Sequence, residues 1–175
     1  MDASPLWTLA GAAFTLSTAY ALGALLMRKR SAPPEILLGI GATALSFAVF
    51  FLLLLHLAYL GAFLALGALA IPLAWRYRGT AAYDPIKIPR PLWLIFGAYG
   101  IWYLVNALAP ETVADGITYH LGLPREYLRL RGFPEHTTFY DVVPQGMEML
   151  FTVAYSIGRH AAAYQWPRSE NPTAG

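Results

Sequence analysis

Long apolar runs separated by short polar connections fill the first 110 positions of the chain. The first run extends from Pro5 to Met27, which is roughly 23 residues or about 34 Å of helix and enough to cross a bilayer. The basic residues of segment 28–30 end it. Because no basic segment precedes this run and it is too long for a cleaved signal, it predicts a retained transmembrane helix over residues 5–27.

A second apolar run covers residues 36–75, with no Asp, Glu, Lys or Arg and with His56 as its only histidine. As one helix it would be about 60 Å long, twice the hydrocarbon thickness of a bilayer, so it must fold back on itself. The polar ring of His56 and the nearby Gly61 mark the turn. The run is therefore predicted to form two spans, 36–55 and 57–75.

A fourth run, residues 92–109, carries Trp93, Trp102 and Tyr103, aromatic residues that are typical of membrane interfaces. Of all residues, 57% are hydrophobic and 13% are charged, against about 45–50% and about 25% in soluble domains. The predicted fold is all-α: a polytopic bundle of about four transmembrane helices with an external loop that carries an amphipathic juxtamembrane helix.

The basic residues predict the orientation, because cytoplasmic loops carry the excess of Lys and Arg. They cluster in residues 28–30 and 76–90, two connections that four spans place on the same side. Both connections are predicted to be cytoplasmic, and the N-terminus and the 110–143 loop external, in a bacterial inner membrane. The net charge of +2 does not indicate nucleic-acid binding.

The 110–143 loop contains a predicted amphipathic helix, Thr118 to Arg131. Its apolar side chains are expected against the membrane and its basic ones toward water or headgroups, and a solvated helix in a loop is the alternative. The apolar set is Leu121, Tyr127, Leu128 and, at its edge, Leu130; the basic set is Arg125, Arg129 and Arg131.

A further helix is predicted within 144–165, followed by a polar tail at 166–175. Glu148 makes it a poor isolated span, so it is interpreted as the start of a truncated span in a longer protein. Its predicted apolar face consists of residues at helical spacing: Met147, Leu150, Phe151, Ala154 and Ile157.

Two carboxylates are the leading catalytic candidates. Asp115 comes shortly after the outer end of the fourth apolar run, where a base can reach water while the membrane presents a lipid-borne substrate. Glu111, four residues earlier, would share a helix face with it, and such a pair can bind a divalent cation. The alternative is that both are capping or solvating charges. No other cofactor is indicated, and without cysteine a thiolate site is excluded.

Other side chains of the loop suit substrate binding. His120, Arg125 and Arg129 are candidates for contacting a phosphate or diphosphate, since a guanidinium offers two parallel donors. Tyr119 and Tyr127 are candidates for stacking on a sugar. The alternatives are arginines that only reach toward headgroups and tyrosines of an interfacial belt. His136 and Asp141 match no metal-ligand spacing, and His56 fits a turn at the outer interface.

The order of features after the fourth run, DGITYHLGLPREYLRLRGF, resembles the bacterial GT-C glycosyltransferases related to protein O-mannosyltransferases and aminoarabinose transferases. Asp115, Tyr119, Tyr127 and Gly132 match the order in which that family places an acidic motif, a tyrosine and a juxtamembrane helix in its first large external loop. The later PQGMEML resembles the start of its next helix. The resemblance covers roughly residues 92–159.

The resemblance implies that Asp115 is the catalytic carboxylate that activates or orients the acceptor, and that the donor is a sugar on a polyprenyl phosphate. Two features depart from the family: Gly116 stands where a second acidic residue is common, and three additional helices precede the loop. The family also has many more spans, so this chain alone is expected to be inactive. The alternative function is a non-catalytic multi-span module that assembles with a larger membrane partner.

Overall fold

The computed structural model describes residues 5–28, 32–76, 89–108, 119–135 and 145–158. Within these ranges the chain is all-α, as predicted, with six helices and no strand. The helices are α1 (Pro5–Leu26), α2 (Pro34–Leu54), α3 (Leu60–Arg76), α4 (Arg90–Ala107), α5 (Gly122–Leu130) and α6 (Gly146–Gly158).

Close contact between glycines joins α1 to α2. A Cβ atom at Gly23 would overlap the carbonyl oxygen of Leu37, and one at Gly41 would overlap that of Ala19. Small residues at such crossings let two backbones approach closely, which is the usual basis of helix association in membranes. Because the contacts advance along α1 while they retreat along α2, the two helices are antiparallel.

The third helix packs on the other side of α1. Gly67 lies against Phe14 of α1, and Ala70 and Ala74, farther along α3, are buried in a cluster with Ala21, farther along α1. α3 therefore runs parallel to α1 and antiparallel to α2. The chain reverses at residues 55–59, which overlap residues 56–61, where the sequence predicts the turn.

The reversal defines two ends of the bundle. Arg28, just after α1, and Arg76, the last residue of α3, lie at the same end, together with the start of α2. The opposite end, called the turn end below, contains residues 55–59 and the start of α1. The two predicted basic connections thus begin at one end of the bundle, as the orientation argument requires.

The last described helix, α6, runs antiparallel to α1. Gly11 closely approaches Ala154, and Gly158 approaches the backbone of Thr8, so α6 ends at the turn end. Its start lies beside the middle of α2, where the Ser46 hydroxyl donates a hydrogen bond of 2.8 Å to the Gly146 carbonyl. α6 is therefore a half-length helix that occupies the turn-end half of the bundle.

The short helix α5 packs against α6 and ends on the turn between α2 and α3. The amide of Ala58 donates a hydrogen bond to the carbonyl of Arg131, and Gly132 lies against the ring of His56. Both Arg131 and His56 have left-handed backbone conformations, with φ of 61° and 57°. Two sharp turns thus hold the C-terminal end of α5 at the turn end.

The environment predicted for one helix face is wrong, and a second predicted face is only partly covered. Of the α5 side chains expected against the membrane, Tyr127 is buried in the bundle, together with Leu123 and Pro124. In α6, Met147 is 56% exposed, and the other four residues of the predicted apolar face are half-buried. The buried side chains of α6 are Glu148, Met149, Thr152, Val153 and Ser156. Other helices of the bundle, which the sequence could not place, cover the buried positions of both helices.

Two helices are long and apolar enough to cross a membrane, α1 over Leu6–Leu26 and α2 over Pro34–Leu54. The third is a shorter apolar helix. The fourth has exposed side chains along Arg90–Asn106, including Trp93, Trp102 and Tyr103. In the described ranges, α4 therefore stands apart from the packed unit formed by α1, α2, α3, α5 and α6.

Candidate functional site

A cavity of about 340 Å³ lies at the turn end, between the start of α3, the outer face of α5 and the last turn of α6. Three of its lining residues are arginines, and two are tyrosines that offer hydroxyl groups. These residues are Arg125, Arg129, Arg131, Tyr59 and Tyr155. We call this space the arginine cavity. Its donors are of the type that binds phosphate oxygens.

The three arginines of the cavity have different partners. Arg129 donates from Nε to Glu126 at 2.8 Å and from a terminal nitrogen to the other carboxylate oxygen. Arg131 lies over the Tyr59 ring, 4.6 Å from its centroid, and contacts its hydroxyl. Arg125 makes no hydrogen bond or ion pair within the described residues and is the least satisfied cation of the three.

The ion pair on α5 shifts both of its members. The hydrogen bond from Arg129 lowers the pKa of Glu126, and the Arg129 charge acts in the same direction. The same hydrogen bond raises the pKa of Arg129. Glu126 therefore stays ionised in mildly acidic solution and neutralises part of the positive charge at the cavity mouth.

A second polar site lies near the start of α6, farther from the turn end than the cavity does. His120, in a π-helical turn directly before α5, has its Nδ1 3.0 Å from Oε1 of Glu148 on α6. If Glu148 is ionised it can only accept, and Nδ1 then donates this hydrogen bond. The His120 side chain is 43% exposed, whereas that of Glu148 is 2% exposed. Glu148 thus holds a ring that reaches the surface.

Glu148 lies in unusual surroundings for an acid. Its second oxygen, Oε2, is buried and has no hydrogen-bond partner among the described residues. One turn along the same face, the Thr152 hydroxyl satisfies itself by donating to the Glu148 carbonyl at 2.7 Å. A buried charge without full compensation is costly, so an interior carboxylate is a functional candidate.

The two tyrosines predicted to stack on a sugar are both buried. Tyr127 is 0% exposed, its hydroxyl donates to the side-chain oxygen of Gln145, and its ring packs against Phe133. Tyr119 is 9% exposed and lies 4.6 Å, between ring centroids, from His120. In this arrangement Tyr127 packs the interior, and Tyr119 supports the histidine ring.

An apolar groove of about 680 Å³ lies beside this polar site, between α2 and the start of α6. Phe47, Phe50 and Phe133 form its aromatic wall, and Met147 and Leu150 line the α6 side. Its polar members are Thr43, Ser46 and Gln145. Its lining has the chemistry of a hydrocarbon chain site next to polar groups.

The structure brings together part of the predicted site. Arg125 and Arg129 share one cavity, whereas His120 lies against Glu148 of α6 and is not part of the cavity lining. Asp115 and Glu111, the predicted catalytic pair, and His136 and Asp141 lie outside the described residues. No cluster of three potential metal ligands occurs in the described ranges, and a divalent cation stays a prediction.

Sequence reasoning missed the role of Glu148. It was interpreted only as a defect in a transmembrane helix, although it is the sole charged residue in the sequence of α6. A single acid in an otherwise uncharged apolar helix is itself a signal for a functional site. The partner could not be identified, because His120 is 28 residues away in the sequence.

Comparisons with protein-family models, with curated proteins and with solved structures find no match for the chain. The resemblance to GT-C glycosyltransferases therefore depends on the order of residues in the sequence alone.

Proposed function

We propose that this chain is a GT-C-like membrane glycosyltransferase, or the N-terminal portion of one, that transfers a sugar from a polyprenyl-phosphate-linked donor at the outer face of a bacterial inner membrane. The arginine cavity is the observation that carries the proposal. It offers guanidinium and hydroxyl donors beside helices that are apolar enough to lie in lipid. That combination suits a ligand with an anionic head and a hydrocarbon tail.

The position of the cavity supports the same function. Arg28 and Arg76 lie at one end of the bundle and the cavity lies at the other. If the basic connections are cytoplasmic, the cavity faces the outer leaflet. The four predicted spans, the external loop and the role of Asp115 as the carboxylate that activates or orients the acceptor are parts of this proposal.

Binding of a polyprenyl phosphate to the chain in lipid nanodiscs tests the proposal. Arg125→Gln should weaken binding of polyprenyl monophosphate about tenfold or more, because a hydrogen bond to a charged group contributes about 1.5–3 kcal/mol. The matched control is Arg28→Gln at the opposite end, which should bind as the unmodified chain does. The uncharged polyprenol should bind equally weakly to all three proteins.

If the unmodified chain binds polyprenyl phosphate no better than polyprenol, the proposal fails. The alternative is then a non-catalytic membrane module that assembles with a larger partner. One observation favours that alternative: α4 exposes large apolar side chains on every side, including Leu94, Ile101 and Trp102. Lipid or a second protein must cover such a surface.

A further inference from the structure

The ion pair on α5 occupies donors that the arginine cavity could otherwise offer to a phosphate. Arg129 donates from Nε to one oxygen of Glu126 at 2.8 Å and from a terminal nitrogen to the other oxygen. A guanidinium binds phosphate oxygens through the same kind of parallel bonds. An anionic ligand that needs this edge of Arg129 must therefore displace Glu126 first.

The other two arginines of the cavity have no carboxylate partner among the described residues. Arg125 lines the cavity together with Tyr155 and forms no hydrogen bond or ion pair there. The Arg131 guanidinium lies over the ring of Tyr59, 4.6 Å from its centroid. An aromatic face attracts a cation but does not neutralise it. Arg125 and Arg131 thus keep their positive charge for a ligand, whereas the charge of Arg129 is already compensated.

The spacing along α5 decides which ligand meets this compensated arginine. Arg125 and Arg129 are four residues apart, so they are neighbours on the helix surface, and both line the cavity. A single phosphate can be held by Arg125 alone. A diphosphate carries its second phosphate one bridging oxygen farther on, and the next cation along the helix is Arg129. At that position the carboxylate of Glu126 holds the donors and repels the second phosphate.

From this arrangement we infer that Glu126 determines the specificity of the arginine cavity: it competes with the ligand for Arg129 and so matches the cavity to a lipid with one phosphate group rather than two. The inference rests on the proposed function, because it concerns the same donor site. An exposed ion pair contributes little to folding. A neutral side chain at Glu126 should therefore change the binding preference without loss of the fold.

The test compares the binding of polyprenyl monophosphate and polyprenyl diphosphate of equal chain length to the chain in lipid nanodiscs. The unmodified chain should not prefer the diphosphate. Glu126→Gln should tighten diphosphate binding about tenfold, because Arg129 then gains a hydrogen bond to a charged group. Binding of the monophosphate should change by less than about threefold, which is the effect of removing one exposed charge.

A double substitution assigns the gain to Arg129. When Arg129→Gln is added to Glu126→Gln, the tighter binding of the diphosphate should be lost. Two residues in contact have effects that do not add, so the single and double variants together isolate their interaction. A gain that remains in the double variant would come from the net charge alone and overturns the inference.

The matched control is Glu135→Gln. Glu135 is exposed, follows α5 in the chain and forms no ion pair with a described residue. Its replacement changes the net charge by the same amount as Glu126→Gln, so it should leave the preference between the two lipids unchanged. Equal shifts of the preference in both variants contradict a specific role of Glu126.

The outcomes separate the inference from the proposed function. If the unmodified chain binds neither phosphate better than polyprenol, the proposed function fails and the inference with it. If it binds them but Glu126→Gln leaves the ratio of the two affinities unchanged, only the inference fails. The inference also fails if the unmodified chain prefers the diphosphate by more than about threefold. This last measurement needs no variant, and thermal unfolding of each variant shows whether it is folded.

Discussion

The helices α4 and α6 differ in the burial of their side chains, and the difference is the opposite of what their polarity suggests. α4 has no charged residue after Arg90 and is rich in large apolar side chains, yet those side chains are exposed. α6 contains an acid and several hydroxyls, yet Glu148, Thr152 and Ser156 are among its buried positions. The comparison teaches that polarity alone does not decide which of these two helices is buried. Polar groups of α6 that need partners point inward, whereas the apolar groups of α4 face outward, an arrangement that would suit lipid as the solvent.

The largest expected difference between the packed helices and α4 comes from replacing one glycine by valine in α1, where it meets α6, and one in α4. Gly11→Val should destabilise the chain by about 3 kcal/mol, because the new Cβ would overlap the Ala154 carbonyl where α1 meets α6. Gly97→Val on α4 meets nothing within 4 Å and should be neutral. Denaturant unfolding of both variants in the same detergent measures the difference. Equal stabilities would show that α6 does not pack on α1.

Shortening one valine in α6 and one in α4 should give a smaller difference in stability, and neither change adds atoms. Val153 on α6 is 1% exposed and Val105 on α4 is 62% exposed. Val153→Ala should cost about 2 kcal/mol, the transfer energy of the lost methyl groups together with the cavity they leave. Val105→Ala should stay within about 0.5 kcal/mol. The comparison fails if the unfolding midpoints of the two variants coincide.

The smallest effect contrasts the exposed acid Glu126 with the interior Glu148. The pKa of Glu126 is lower in the folded chain than its ordinary value, so its ion pair with Arg129 adds stability above the unfolded pKa. That contribution is lost as the pH falls through the folded pKa, in strongly acidic solution. Because the pair is solvent-exposed, this contribution should be the smallest of the three effects. Thermal unfolding between pH 3 and 6 of the chain and of Glu126→Gln measures it. A Glu126→Gln variant whose loss of stability is the same at both ends of this range contradicts the assignment.

The sequence predicted the type of each element better than the contacts between elements. Apolar runs of spanning length predicted helices where α1, α2, α3 and α4 occur, because hydrophobic length is a local property. The reversal near His56 also followed, since a run of twice the bilayer thickness has to turn. Helix content after residue 118 was predicted from spacing alone.

The burial of Tyr127 in α5 and of Glu148 in α6 has a physical reason. An amphipathic pattern tells which side chains are alike, but the environment decides which side is covered. In α6, Thr152 and Ser156 occupy buried positions because their hydroxyls bond to the backbone of their own helix. Hydrophobic spacing alone therefore could not identify the buried side of α6.

The candidate site was only half predictable. Arg125 and Arg129 were singled out because guanidinium groups suit phosphates, and they line one cavity. Glu148 was not, since its importance depends on a contact with His120 across 28 positions. Long-range pairs of this kind leave no local signature, and they are set by where α6 docks.

The position of α1 has a consequence for biosynthesis. It precedes α2, α3 and α6 in the chain, and it contacts all three. Its last described partner begins only at Gly146, so the surface around Gly11 stays uncovered while more than a hundred further residues are translated. Long-range docking of this kind is expected to be slow. A nascent chain arrested before α6 should therefore present the surface around Gly11 to any insertion factor able to shield it.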